Sequence, residues 1–178
     1  MSREEPTRTM ESHVQELLSG RTVLVTGADG FAGSHLTEAL VSYGANVHVL
    51  IRATSSGMLH NIDHLQRKIT IHRGDLTDKQ AVLQALKALK AFGDQPIIFH
   101  LGAQAHVGEC WVRSYETLSA NILGTVNILQ SIVDLDLDVF RIDVAGSSEE
   151  YGNVQETVRE HYRFDPNGGL SYDANRRR

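Results

Sequence analysis

Three glycines, Gly27, Gly30 and Gly33, follow the run Thr22-Val-Leu-Val-Thr26. Each has a role at a site for phosphate. Gly27 permits a tight turn off a strand. Gly30, lacking a Cβ, lets a pyrophosphate come close to the backbone. Gly33 lets the following helix pack tightly on the strand. A helix opening at this point aims free N–H groups and the positive end of its dipole at the phosphates. The pattern needs a buried strand before it and an amphipathic helix after it, and both are present. Dinucleotide binding is the chemistry expected here.

Arg52 bears on which dinucleotide. Proteins that prefer NAD usually carry an acidic residue at the end of the second strand, where it accepts from the ribose hydroxyls. Here the position is Ile51, followed by Arg52. An arginine suits a 2′-phosphate through charge and a forked set of donors. Ser55 and Ser56 add hydroxyl donors. The reading favours NADP, with NAD as the alternative.

The elements that must hold these residues follow from periodicity. Strands are expected at 22–26, 46–52, 68–72, 96–101 and 139–145. The first helix, from about Ala32 to Tyr43, places Leu36, Ala39, Leu40 and Tyr43 on one face, and Gly44 stops it. A second helix follows Gly74-Asp75, with Thr77 as its cap and Gln80 in capping-box position. It buries Val82, Leu83, Leu86 and Leu89. A long helix from about Ser114 to Asp134 presents Leu118, Ile122, Val126, Leu129 and Val133 on one face. Val14, Leu17 and Leu18 suggest a short helix or tail in residues 1–20. Strand and helix alternate, so the fold expected is α/β, a doubly wound parallel sheet of Rossmann type with about five strands. Residues 21–152 form the nucleotide-binding domain and 153–178 an irregular remainder. Such sheets do their chemistry at the carboxyl ends of the strands, where the polar signals fall. Arg141 and Asp143 interrupt an otherwise apolar fifth strand.

Composition bounds the partners. The 178 residues suffice for one domain with a real core. A net charge of −5 gives no bulk attraction to nucleic acid or to an anionic membrane. Cys110 is the single cysteine, which excludes an internal disulfide and suits a reducing compartment. No apolar run approaches a membrane span, and the first twenty residues lack the apolar core of a secretory signal. A cytoplasmic protein is expected. His100 and His106 lack neighbours in a metal-site pattern, so no metal is expected.

Five blocks resemble one family in order and spacing: TGADGFAGSHL (26–36), GDLTD (74–78), HLGAQAHV (100–107), ANILGTVNIL (120–129) and SSEEYG (147–152). They are similar to the extended short-chain dehydrogenase/reductases, the nucleotide-sugar epimerases and dehydratases. LGAQAHV and SSEEYGNVQE look most like the GDP-mannose 4,6-dehydratase branch. The resemblance implies a nucleotide-sugar substrate and a homodimer or higher oligomer, with Trp111 and Tyr115 at a helix interface. It adds Asp29 and Phe31 of the glycine turn to the cofactor set. It makes Asp75 and Leu76 the adenine-contacting pair. It runs Leu101, Gly102, Ala103 and Gln104 under the ribose and nicotinamide end.

The resemblance also implies a catalytic set. Ser147 would orient the sugar 4-hydroxyl, and Glu149 would be the base at C5. Tyr172 would take the 4-hydroxyl proton. Glu149 tilts the reading toward a dehydratase, because an epimerase needs no C5 base. Asn121 would brace the site from mid-helix, where its propensity is poor. Two departures stand out. Tyr172 lies 25 positions after Ser147, but the residue four further on is Arg176, where the family has lysine. The chain also stops before the strands and lobe that hold the sugar nucleotide in longer members. The expectation is therefore the cofactor-binding half, with a 4-epimerase or reductase and a catalytically inactive nucleotide-binding fragment as alternatives.

Overall fold

The computed structural model describes residues 10–52, 59–147, 163–165 and 169–171. It divides into two compact units, 1–144 and 145–178.

The first unit carries five parallel strands in the order β3-β2-β1-β4-β5. They are β1 (Thr22–Thr26), β2 (Asn46–Ile51), β3 (Thr70–Arg73), β4 (Ile97–His100) and β5 (Arg141–Val144). The order reverses between β1 and β4, the switch point at which open α/β sheets bind ligands. In register, Thr26 lies beside Leu50 on one side and His100 on the other. Three strands thus finish at about one level.

Alternation along the strands builds two cores. Val23, Val25, Val47, Val49 and Ile97 point to the face covered by α1 (Met10–Leu18) and α2 (Phe31–Ser42), through Leu18 and Leu40. Leu24, Leu50 and Ile98 point to the other face. There α3 (Lys79–Lys90) buries Val82, Ala85, Leu86 and Leu89. Ile128 of α6 (Gly124–Asp134) joins them. Strands buried on both faces read as continuous apolar runs, as β1 and β2 do.

Several expectations need correction. Asp78, not Thr77, caps α3: its carboxylate accepts from the N–H groups of Gln80 and Ala81. Thr77 instead donates its N–H and hydroxyl to Asp75, at 2.9 and 2.7 Å. Aspartate is as good a cap as threonine, and it stands one residue nearer the helix. The helix expected over 114–134 is three pieces, α5 (Ser114–Leu118), a π-helical turn (Ser119–Leu123) and α6, preceded by α4 (Val107–Val112). Its apolar face is not core. Leu118, Ile122, Val126, Leu129 and Val133 are between 44% and 70% exposed, while Gly124, Ile128 and Ser131 are buried. Arg141 and Asp143 pair with each other on the edge strand β5, Nε to both carboxylate oxygens at 2.8 and 2.9 Å.

In the second unit β6 (Arg163–Asp165) pairs antiparallel with β7 (Gly169–Ser171).

Candidate functional site

The turn after β1 is shaped by backbone contact. Gly27 has φ +70°, a conformation that favours glycine. A Cβ on it would stand 2.8 Å from the Gly102 nitrogen, and one on Gly33 2.1 Å from the Gly27 carbonyl oxygen. Real Cβ atoms do not come so close. The turn therefore sits against both the first turn of α2 and the loop after β4. Gly30 caps α2 in extended conformation and is exposed. The N–H groups that open α2 lie beside it, with no acidic residue in the first turn. Phe31 is 83% exposed, edge-on to His35.

Asp29 ties this turn to the return from β2. Its carboxylate accepts from the His60 N–H at 3.0 and 3.1 Å and from the Asn61 N–H at 2.8 Å. The Asn61 amide donates back to the Asp29 carbonyl at 2.7 Å. Leu59 and Ile62, on either side, are buried in the α2-side core.

Arg52 is exposed just beyond β2. Asp75 follows β3 by two residues. Partial burial pushes the Asp75 carboxyl up, but the Thr77 N–H and hydroxyl, together with the Arg52 charge, hold it below the usual range. Leu76 packs under the β4 loop: its Cδ1 lies 2.7 Å from where a Cβ of Gly102 would be. Asn127 of α6 donates to the Leu76 carbonyl at 2.8 Å.

The loop Leu101–Gln104 is held at two points. The Gly102 N–H donates to the Thr26 hydroxyl at 2.9 Å. Asn121 grips Gln104 twice, accepting its N–H at 2.7 Å and donating to its carbonyl at 3.1 Å. Asn121 sits within the π turn, a feature frequent at functional sites. Ala103 between the grips is exposed.

The first unit thus brings Gly27, Asp29, Gly30, Phe31, Gly33, Arg52, Asp75, Leu76, Leu101, Gly102, Ala103 and Gln104 to the carboxyl ends of β1 to β4. Ser147 is exposed and belongs to the second unit. Ser55, Ser56, Glu149, Tyr172 and Arg176 lie outside the described residues. His106 is an exposed N-cap of α4. Trp111 and Tyr115 are 88% and 78% exposed. Three supporting residues went unnoticed in the sequence: Thr26, Thr125 and Asn127. Thr26 alone carried a signal, a polar residue closing an apolar strand beside a glycine.

A family model described as GDP-mannose 4,6 dehydratase matches residues 24–172. The chain belongs to this family. The GDP-mannose 4,6-dehydratase of Vibrio cholerae is 33% identical over 145 residues, 77% of this chain and 38% of that protein. The Homo sapiens GDP-mannose 4,6 dehydratase is 32% identical over 142 residues, 75% of this chain and 37% of its own length. The chain spans well under half the length of these dehydratase relatives. Among solved structures, MoeE5 in complex with UDP-glucuronic acid and NAD superposes with a TM-score of 0.59 at 31% identity, over 78% of this chain and 41% of that one. The UDP-glucose 4-epimerase of Thermus thermophilus, in complex with NAD, gives 0.61 at 26%, over 84% and 44%. The family's fold is the Rossmann type that takes NAD or NADP, within the epimerase/dehydratase superfamily.

Proposed function

We propose that this chain binds a nicotinamide dinucleotide, NADP in preference to NAD, as the cofactor-binding half of a nucleotide-sugar dehydratase of the GDP-mannose 4,6-dehydratase type. The observation that carries the reading is the backbone packing of the Gly27 turn between α2 and the Gly102 loop. A Cβ at Gly27 or Gly33 would collide with the backbone of the β4 loop or of the turn itself, so the close packing needs glycine at both. The N–H groups that open α2 would hold the pyrophosphate. Asp75 and Leu76 would take the adenine end, and Gly102–Gln104 would floor the nicotinamide end. Arg52, the cation just beyond β2, would meet a 2′-phosphate.

Bound there, the nicotinamide ring supplies a hydride acceptor and donor. The chain's own residues would do the rest. Ser147 would orient the 4-hydroxyl. Tyr172 would accept its proton. Glu149 would remove the C5 proton, made acidic by the new ketone, so that water leaves from C5 and C6. Arg176 stands at the lysine position, and arginine is not an equivalent replacement for lysine. Cofactor binding with little or no turnover is therefore the expected behaviour of this chain alone. The apolar face from Trp111 through Val133 is read as the contact with a second copy, which sedimentation as a dimer would support.

Calorimetric titration with NADP and, separately, NAD tests the reading. Tight binding of NADP over NAD is expected. Binding of neither overturns it, and clear dehydration of GDP-mannose by the purified chain overturns the expectation of low turnover.

A further inference from the structure

The two grips on the β4 loop come from different elements, Thr26 at the end of β1 and Asn121 in the π turn. His100 joins them. It is the last residue of β4, 4% exposed, and in register with Thr26. Its Nδ1 is 2.7 Å from the Thr26 hydroxyl and its Nε2 is 3.0 Å from the Thr125 hydroxyl.

One arrangement of protons satisfies every contact. The Thr125 hydroxyl donates to the Asn121 carbonyl at 2.8 Å, so it accepts from His100 and Nε2 carries the hydrogen. Nδ1 then has a free lone pair and accepts from the Thr26 hydroxyl. The Thr26 oxygen in turn accepts the Gly102 N–H. The path runs Gly102, Thr26, His100, Thr125, Asn121, and returns through the Asn121 amide to Gln104. The path closes on itself through the Asn121 side chain and the backbone from Gly102 to Gln104. Neutral imidazole fits this path because it has one donor and one acceptor on separate edges. An imidazolium would place a hydrogen on Nδ1 and take away the acceptor that the Thr26 hydroxyl uses. Burial holds the His100 pKa below its ordinary value, in the same sense.

We propose that His100, as the neutral Nε2–H tautomer, is a positioning residue that sets the loop Gly102–Gln104 by linking Thr26 to Thr125, and through that loop the nicotinamide end of the bound dinucleotide. The second clause rests on the cofactor reading above; the first does not.

The test uses the whole 178-residue chain. Long-range proton–nitrogen spectra of the 15N-histidine-labelled protein at neutral pH are expected to show His100 as the neutral Nε2–H form. An Nδ1–H form or an imidazolium there overturns the proposal. Two variants probe the path at one step. T125V removes the hydroxyl at nearly constant volume, and T125S restores it. The Gly102 and Gln104 amides are expected to exchange about tenfold faster in T125V and at the wild-type rate in T125S. Unchanged exchange in T125V overturns the positioning role. NADP affinity is expected to fall about tenfold in T125V, with rescue by T125S. Equal NADP affinity in T125V and wild type overturns the nucleotide clause. A wild-type chain that binds neither NADP nor NAD overturns the cofactor reading and that clause with it, while the tautomer and exchange results still decide the loop.

Discussion

The sheet buries one histidine toward each end, and the two are treated differently. At the carboxyl end both ring nitrogens of His100 meet threonine hydroxyls. Toward the amino end His48 is 1% exposed, stacked 5.2 Å from His72, with Nδ1 bonded to that neighbour at 2.9 Å. Its Nε2 is buried without a hydrogen-bond partner among the described residues, as is one oxygen of Asp94. Unmet buried polar groups cost stability. Among the described residues, the buried His100 is thus fully paired where the glycine loops converge, whereas His48 and Asp94 toward the opposite end are not, so the two ends should respond differently to substitution.

The largest effect is expected at the carboxyl end from Gly33→Ala. The new Cβ would meet the Gly27 carbonyl, and the helix would have to move off the strand. A loss of about 3 kcal/mol in denaturant unfolding is expected, along with loss of nucleotide binding by calorimetry. Thr26→Val comes next. It leaves the Gly102 N–H and His100 Nδ1 unpaired, for about 2 kcal/mol, and weakens NADP binding. An unchanged midpoint would break the contrast between the ends. At the amino end His48→Leu removes the unpaired nitrogen. It also breaks the Nδ1 bond to His72, so a net change below about 1 kcal/mol is expected, with nucleotide affinity unchanged.

Acid should expose the same contrast. Burial, helped by the nearby His72 and opposed by Asp94, lowers the His48 pKa to about 4. The unfolded chain therefore binds a proton near its ordinary pKa of 6.5, before the folded one does. Stability present above pH 6.5 is lost progressively toward pH 4 and then levels off for this group. Melting temperatures across that window are expected to fall in the wild type and to fall less in His48→Leu. His72 and His100, also lowered by burial, contribute in the same direction. The smallest effect belongs to Arg141→Ala on the sheet edge. Its partner Asp143 is on the same strand and the pair is solvated, so the melting temperature should not move measurably.

Much of this was legible in local sequence. The strands β1 and β2 are largely apolar runs, and the glycine spacing after β1 announced its turn. The register of α6 was not legible. Its widest apolar stripe faces away from the sheet, because Gly124, Ile128 and Ser131 allow a closer approach than a row of leucines would. Periodicity reports a stripe but not what covers it. The role of His100 was hidden for another reason. Thr26 and His100 are 74 residues apart, and their contact exists only because β1 and β4 are neighbours. Asn121 was suspected from its poor fit to a helix, yet the π turn that holds it leaves no mark in composition.

That π turn also keeps count. Each residue in an α-helix advances the next by about 100°. The turn at Ser119–Leu123 takes up an extra residue within a helix that otherwise runs from Ser114 to Asp134. The direction Tyr115 faces relative to Val126 and Val133 therefore depends on chain length as well as on residue type. In genetic terms, loss of a single codon there would leave every side chain outside it unchanged. It would still turn the α4–α5 surface about a quarter of the way around the axis relative to α6, and draw Asn121 off Gln104. At the exposed positions of this helix, drift in residue identity would be tolerated far better than drift in its length, whereas Asn121, Gly124, Thr125 and Asn127 are fixed by their contacts.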